Sequence, residues 1–266
     1  MSADINTNIK MPVLFIGHGN PMNAVYNNAF TQTLASEGEI LKKLNPAAVL
    51  VVSAHWLSNG TRVSVTQNPP TIHDFSGFPD ELFQIQYPAP GAPDLAVFTK
   101  SIINYTTVEE DNKWGLDHGA WSILKHMFPL ADIPVFQLSI DYKKPPLWHF
   151  ELAGELKLLR EKGVLIIGSG NIVHNLYMVD FSDNANPFPW AVEFDELVKD
   201  RLLNKNYDVL IDYKDLGNSY LAVPANDHYL PMMYTLGLSE KNEQLSFIYE
   251  EIQNATISMR SFKIGN

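Results

Sequence analysis

The chain has 266 residues, of which 45% are hydrophobic and 18% charged, with a formal net charge of −11 and no cysteine. This length suits one large domain or two small ones, and a chain of this size buries roughly 70–75% of its unfolded surface without covalent cross-links. The acidic balance argues against a nucleic-acid or anionic-membrane surface, which needs a basic patch. The lack of cysteine excludes disulfides, iron–sulfur clusters, cysteine-ligated zinc and thiol nucleophiles.

The first ten residues are polar, and we expect them to fray. They contain no apolar signal-peptide core, and the longest apolar stretch, near AAVLVV, is too short to span a bilayer. We therefore expect a cytoplasmic protein with a single catalytic domain over residues 1–266. We expect no nucleic-acid or membrane partner, and either a monomer or a homo-oligomer.

The pattern of apolar residues predicts strands that alternate with helices. In chain order the predicted elements are a strand at 12–16, a helix at 28–44, strands at 47–52 and 62–66, a helix at 94–103, a helix that begins near 117–119, a strand at 133–140, a helix at 147–161, a strand at 164–168, helices at 190–203 and 228–236, and edge strands in the tail. The loop at 69–93 is rich in proline, glycine and aromatic residues, and a loop of this length is usually functional or a lid. The alternation predicts an α/β fold with a central, mostly parallel sheet flanked by helices.

Three histidines lie just beyond strands that are predicted to be buried. His18 follows PVLFIG, His55 follows AVLVVSA and His174 follows GVLIIGSGNIV. In an open α/β sheet, the carboxyl ends of the strands line the crevice where ligands bind. Imidazole is the commonest metal ligand and an effective acid or base at neutral pH. The sequence therefore predicts a metal site at the carboxyl edge of the sheet, with His228 in NDHYLP as a fourth candidate.

The other histidines each have a structural and a functional interpretation. His118 is either a packing residue held by the preceding aspartate or a pocket donor that binds substrate or dioxygen, and both stay open. His73, in the aromatic loop, either contacts substrate or is simply oriented by Asp74. His126 and His149 lie on predicted helices, and we interpret both as structural or surface residues.

Eight stretches of the chain, in order, resemble the class III extradiol ring-cleavage dioxygenases of the LigB-like superfamily. They run from about residue 15 to residue 231 and read FIGHGNPMN, VVSAHW, PPTIHDFSGFP, YPAPGAP, WGLDHGAW, QLSID, GSGNIVHN and DHYLP. The closest likeness is to the single-chain 4,5-DOPA dioxygenase-type branch. Each stretch alone is a weak pattern, whereas eight in order indicate the family strongly and the substrate less so.

The resemblance implies an enzyme with non-heme iron that inserts O2 into a catechol-type substrate, DOPA-like or another catechol, and opens the ring. It implies that His18 and His55 are metal ligands, and it places His228 where the family supplies its late ligand. His174 matches the acid/base histidine of the family and in this branch is also a candidate ligand. His118 matches a pocket histidine that binds substrate or oxygen.

The ligand set departs from the usual ferrous pattern of two histidines and one carboxylate. Related class III enzymes use a glutamate as third ligand, but here the matching region offers His228 with Asp227 beside it. An all-histidine set also suits zinc, and four histidines with His174 included would close a tetrahedral site. Either one histidine then swings free during turnover or ferrous iron expands its coordination. Fe(II) is the metal expected for catalysis, and Zn(II) is the alternative occupant.

Aromatic side chains in the long loop and beside the predicted ligands are expected to form the walls that bind the substrate ring. With His73, the predicted substrate-binding residues are Phe75, Phe78, Tyr87 and Trp56.

Two other functions remain open at this point. A zinc-dependent hydrolase would use a metal-bound hydroxide, although the chain lacks H-E-x-x-H and an obvious paired-carboxylate base. A non-catalytic metal-binding scaffold would keep the fold without the oxygen chemistry.

Overall fold

The computed structural model describes residues 10–182 and 185–266. The predicted fraying of residues 1–10 lies, apart from Lys10, outside the described residues. The strands are β1 (Val13–Gly17), β2 (Ala48–Ser53), β3 (Leu57–Ser58), β4 (Thr61–Ser64), β5 (Val108–Asp111), β6 (Val135–Gln137), β7 (Ile140–Asp141), β8 (Val164–Gly170), β9 (Leu245–Tyr249), β10 (Ile252–Gln253), β11 (Ile257–Ser258) and β12 (Ser261–Ile264).

The helices alternate with these strands over most of the chain. They are α1 (Ala29–Lys42), α2 (Asp80–Phe83), α3 (Pro93–Ile102), α4 (His118–Met127), α5 (Pro146–Gly154), α6 (Lys157–Glu161), α7 (Pro189–Leu203), α8 (Tyr207–Ile211), α9 (Ser219–Ala222) and α10 (Leu230–Gly237), with 3-10 helices at Pro21–Ala24 and Tyr213–Asp215. Within the described ranges, none of the helices has both the length and the apolar character needed to cross a membrane.

A six-stranded sheet in the order β6-β2-β8-β1-β12-β9 forms the centre of the molecule. The first four strands are parallel to one another, whereas β12 runs antiparallel to both β1 and β9. Helices cover both faces, which confirms the predicted α/β fold with a mostly parallel sheet.

Alternate residues of each parallel strand supply the two cores. Val13 and Phe15 of β1 pack on the face covered by α5, α7 and α10, and Leu14 and Ile16 pack on the face covered by α1 and α4. Because both faces are buried, these strands are continuous apolar runs rather than alternating ones. The same property makes them recognisable in the sequence.

Strand β8 lies between β2 and β1 and is paired in parallel with each. Gly17 of β1 is paired with Gly170, and Ser53 of β2 with Ser169. The three strands therefore end at one edge of the sheet, and the residues that follow them meet there.

Two predicted elements are each divided in the structure. The helix predicted over 147–161 is two helices, α5 and α6. The strand predicted over 133–140 is β6 in the main sheet, followed by β7, which leaves that sheet and pairs with β3. The helix predicted over 228–236 begins only at Leu230, so His228 lies just before it.

A buried histidine outside the sheet edge makes stability depend on pH. His149 of α5 shares a hydrogen bond of 2.9 Å between its Nδ1 and the hydroxyl of Tyr234 on α10. Burial lowers the pKa of His149 from its ordinary value of 6.5 to about 4. The folded protein therefore holds this imidazole neutral at pH values where the unfolded chain protonates it.

We expect the substitution His149→Gln to flatten the pH dependence of unfolding. As pH falls from 6.5 to about 4, only the unfolded chain gains this proton, so the wild-type free energy of unfolding falls by up to about 3 kcal/mol from this group. Glutamine keeps a hydrogen-bonding group near Tyr234 but does not titrate. Denaturant unfolding of the metal-free proteins between pH 7 and 4 measures the difference. Equal pH slopes in the two proteins would contradict the assignment.

Candidate metal centre

Five histidines meet in a cavity of about 300 Å³ at the carboxyl edge of the sheet. These are the five that the sequence singled out as ligands or acid/base groups. The lining includes His18, His55, His118, His174 and His228, together with Asp74, Phe75 and Phe78.

Each histidine reaches the cavity from a different element. His18 directly follows β1, His55 lies two residues beyond β2 and His174 four residues beyond β8. His118 is the first residue of α4, and His228 lies two residues before α10.

Ring nitrogens of three histidines lie close together. Nε2 of His18 is 3.1 Å from Nε2 of His55, and His18, His55 and His118 each offer a nitrogen within 4.8 Å of the other two. The ring of His228 has its centroid 5.2 Å from that of His18 and 5.0 Å from that of His55. Its plane is inclined at 52° and 89° to those rings, so His228 is stacked on neither of them.

The Nδ1 partners determine which ring nitrogen carries the proton. Ser169 donates its hydroxyl proton to the carbonyl of Gly119 (2.5 Å), so in its 3.0 Å contact with His18 the serine accepts from Nδ1–H. Asp227 accepts from Nδ1 of His228 at 2.6 Å. In each ring, the lone pair is therefore on Nε2.

Asp74 is the Nδ1 partner of two histidines at once. Its Oδ1 accepts from the backbone N–H (2.9 Å) and Nδ1 (3.0 Å) of His118, and its Oδ2 lies 3.1 Å from Nδ1 of His55. Burial opposes its ionisation, but the hydrogen bonds with His118 and His55 hold the pKa of Asp74 below its usual range. The suggestion that Asp74 orients His73 is wrong, because His73 instead binds the carbonyl of Ile85 through Nε2 at 3.0 Å.

The donor set fits a metal ion. With Nδ1 protonated on His18 and His55, their Nε2 atoms present lone pairs to one another at 3.1 Å with no proton between them, a contact that a cation would stabilise. Carboxylate and hydroxyl partners on the outer nitrogens are the usual support for metal-binding histidines.

Burial keeps the imidazoles neutral. It is the largest cause that lowers the pKa of His18 and His228, and the charges of neighbouring histidines lower both further. Burial and the charge of His55 also lower the pKa of His118 despite Asp74. At pH 7 these rings are therefore neutral, which is the form that binds metals.

The ring of His174 is oriented differently from those of His18 and His55 relative to His228. Its ring stacks on that of His228, with centroids 3.6 Å apart and planes inclined by only 10°. An imidazole lone pair lies in the plane of its ring, so the lone pairs of these two rings lie in nearly parallel planes and do not converge. Burial lowers the pKa of His174 to about 4.

Close packing against a glycine places His228. A Cβ on Gly170 would lie 2.2 Å from the carbonyl oxygen of His228, and the same oxygen accepts a 2.9 Å hydrogen bond from the backbone N–H of Asn171. Only glycine leaves room for this approach.

The predicted aromatic walls are divided between the cavity and the core. Phe75 and Phe78 line the cavity, and Phe75 meets His118 edge-on with centroids 5.5 Å apart. Trp56 is buried and stacks on Trp114 at 5.2 Å, so it is not a wall of the cavity.

Two further predicted wall residues have structural contacts instead. Tyr87 is buried and donates its hydroxyl proton to the carbonyl of Phe128 at 3.0 Å. His73 lies beside Phe75, with centroids 5.9 Å apart, and is not among the lining residues that the described ranges contribute. These placements correct the prediction that Trp56, Tyr87 and His73 form the substrate walls.

Seven lining residues were not predicted as site residues. They are Gly19, Asn20, Pro21, Asp74, Leu176, Phe181 and Ile257. Leu176 and Phe181 are apolar side chains that are 57% and 61% exposed, and no signal in the sequence pointed to them because exposure depends on the tertiary structure.

Comparison with known proteins identifies the family. A model described as the catalytic LigB subunit of aromatic ring-opening dioxygenase matches residues 11–261. The chain belongs to this LigB family. The resemblance inferred from the eight sequence stretches is thereby confirmed.

Relatives of the same family match over nearly the whole chain. The chain is 42% identical to a 4,5-DOPA dioxygenase extradiol of Escherichia coli (strain K12), over 98% of this chain and 97% of the relative. It is 36% identical to a 4,5-DOPA dioxygenase extradiol of Beta vulgaris, over 96% and 97%. The crystal structure of an uncharacterized protein from Escherichia coli K12 superposes with a TM-score of 0.84 at 39% identity, over 96% of this chain and all of the other.

In this LigB-family protein we expect Gly170→Ala to weaken metal binding. The added methyl group must push the His228 carbonyl, and with it the imidazole, away from the cavity. We expect at least a tenfold loss of affinity for zinc in competition titrations, and a loss of about 1–3 kcal/mol in stability. Gly154→Ala is the control, because a Cβ there meets nothing within 4 Å. Similar metal affinity in both variants would show that Gly170 does not position His228.

We expect Asp74→Asn to weaken metal binding without unfolding the protein. An amide presents an N–H₂ group to one of the two rings, so it cannot accept from both Nδ1–H groups. Loss of such an outer partner lowers metal affinity about 10–100-fold. The control is Asp80→Asn at the exposed first residue of α2, which should bind zinc like the wild type. An Asp74→Asn affinity equal to this control would argue against the bridging role.

Proposed function

We propose that this protein is a metal-dependent extradiol dioxygenase that opens the ring of a catechol with O2, and that residues 1–266 act as one catalytic domain. The observation that carries the proposal is the approach of the Nε2 atoms of His18 and His55 to 3.1 Å, with a His118 nitrogen within 4.8 Å of both residues' ligand atoms, in a cavity walled by Phe75 and Phe78. The chain belongs to a family of aromatic ring-opening dioxygenases, and its relatives include enzymes named for DOPA. A DOPA-like catechol is therefore the first substrate to test.

His18, His55 and His228 would hold the metal, with ferrous iron as the working ion and zinc as an alternative occupant. The choice of His228 over His118, whose nitrogen lies within 4.8 Å of those of His18 and His55, follows the resemblance to the family. Their ring planes are mutually inclined at 52–89°, which suits three ligands around one ion. When bound, ferrous iron supplies positions for the two catechol oxygens and for dioxygen, and transfers electrons between them.

His174 is the base in this proposal and not a fourth ligand. Its plane is nearly parallel to that of His228, so one ion cannot lie in both ring planes. Because the pKa of His174 is lowered to about 4 by burial, the ring is neutral at pH 7 and has a free nitrogen. It accepts a proton from a catechol hydroxyl, and the anion that forms beside it favours the protonated ring.

His118 binds the second hydroxyl. Because Asp74 holds its Nδ1–H, the neutral ring offers Nε2 only as an acceptor. Once Nε2 has taken a proton from the substrate, the Asp74 carboxylate stabilises the imidazolium, and His118 becomes a hydrogen-bond donor toward oxygen. In this order of events, His118 first binds the substrate and then donates a hydrogen bond to oxygen, so it performs both roles expected of a pocket histidine.

The deciding experiment is oxygen uptake by metal-free protein reloaded anaerobically with ferrous iron, or with zinc as control. Given a panel of catechols that includes DOPA, the iron form should consume oxygen and yield a yellow ring-opened product. No uptake with iron, together with tight zinc binding, would contradict the dioxygenase and favour a zinc hydrolase or a scaffold.

Two alanine variants separate ligand from base. His18→Ala should lose both metal and oxygen uptake, since it removes a ligand. His174→Ala should retain most of the metal but lose at least about 100-fold in turnover, the usual contribution of a general base. Metal content by elemental analysis and uptake rates test this assignment, and an active His174→Ala enzyme would refute it.

A further inference from the structure

A second cavity, of about 520 Å³, adjoins the metal cavity. The two share Asn20, Phe78 and Phe181 in their walls. Phe78 and Phe181 therefore lie where the two cavities meet.

Neutral carboxamide side chains dominate the polar lining of the second cavity. They are Asn20, Asn23, Asn28, Gln253 and Asn254, and we call this space the carboxamide pocket. Within the ranges that the structure describes, no lysine or arginine lines either cavity.

Hydrogen bonds connect this lining to the metal centre. Asn23 is buried and donates from Nδ2 to the carbonyl of His18 (3.2 Å) and to Oε1 of Gln253 (3.0 Å). Asn28 donates to Oδ1 of Asn23 at 3.3 Å. The pocket wall is therefore held in a defined arrangement before any ligand arrives.

The amides keep both donors and acceptors for a ligand. The oxygen of Asn20 accepts from the backbone N–H of Met22, and that of Gln253 accepts from Asn23, so these hydrogen bonds leave the N–H₂ groups of Asn20 and Gln253 able to donate to a ligand. Asn254 donates its Nδ2 to the carbonyl of Asp180, which leaves its Oδ1 as an acceptor.

We propose that the carboxamide pocket binds the polar, net-neutral end of a substituent on the catechol ring, such as a primary amide or a zwitterionic amino-acid group. This inference rests on the proposed function. A substituent that ends in a lone carboxylate would lose its hydration with no cation to compensate. An apolar end would leave the donors and acceptors of the pocket unpaired.

Four catechols with substituents of similar size test the charge preference. They are 3-(3,4-dihydroxyphenyl)propanamide, DOPA, 3-(3,4-dihydroxyphenyl)propanoate and 4-butylcatechol. We expect anaerobic calorimetric titration of the iron-loaded protein to show the amide and DOPA binding at least about tenfold more tightly than the propanoate. Propanoate binding as tightly as the amide would overturn the inference.

Substitutions at Gln253 test whether the charge preference arises in the carboxamide pocket. Gln253→Leu should reduce the affinity ratio of amide to 4-butylcatechol about tenfold. Gln253→Glu keeps an acceptor for Asn23 but adds a negative charge, so it should improve binding of 4-(3-aminopropyl)catechol relative to the amide. The control is Gln32→Leu on the exposed side of α1, which should leave every ratio unchanged.

Binding and turnover separate this inference from the proposed function. The protein could bind the amide more tightly than the propanoate and yet consume no oxygen with any catechol. That result would contradict the dioxygenase and leave the pocket assignment intact. Oxygen uptake with affinity ratios that Gln253→Leu and Gln253→Glu leave unchanged would overturn the pocket assignment and leave the dioxygenase intact.

Discussion

The parallel pairing of β8 with both β1 and β2 is the constraint on which the rest of the structure depends. Because the register pairs Gly17 with Gly170 and Ser53 with Ser169, three chain segments leave the sheet at one level and deliver histidines to one place. Backbone pairing, rather than contact between the imidazoles, brings them together. A slip of one residue would move every side chain of a strand to the opposite face, where the closely packed core is filled by different side chains.

Burying several imidazoles side by side is unfavourable unless each is neutral and hydrogen-bonded. The structure meets this condition for four of the five rings by giving Nδ1 an acceptor: Ser169, Asp227 and Asp74, the last serving two rings. The Nε2 atoms of His18 and His55 then face each other at 3.1 Å, where a cation would relieve the repulsion of their lone pairs. The two carboxylates, Asp74 and Asp227, are thus acceptors for the histidines in this structure, which is consistent with the all-histidine ligand set that we propose.

The metal cavity and the adjoining carboxamide pocket differ chemically. Phenylalanines line the metal cavity beside the histidines and suit a flat ring. Beyond Phe78 and Phe181, carboxamide side chains line the second cavity. Asn23 belongs to the carboxamide pocket and is hydrogen-bonded to the carbonyl of His18, which lines the metal cavity. In the proposed function, the turn after β1 therefore contributes both to the metal centre, through His18, and to the carboxamide pocket, through Asn23.

The apolar runs and the histidines after them determined the fold class and most of the site, because buried parallel strands are continuous in sequence and end at a common edge. Sequence alone also placed His118 and His228 in the site, through their resemblance to family motifs. It did not determine that Asp74 binds two histidines, that Trp56 and Tyr87 pack in the core, or that His174 stacks on His228. The direction of a loop side chain depends on backbone turns and on partners distant in the chain, so only the tertiary structure decided these contacts.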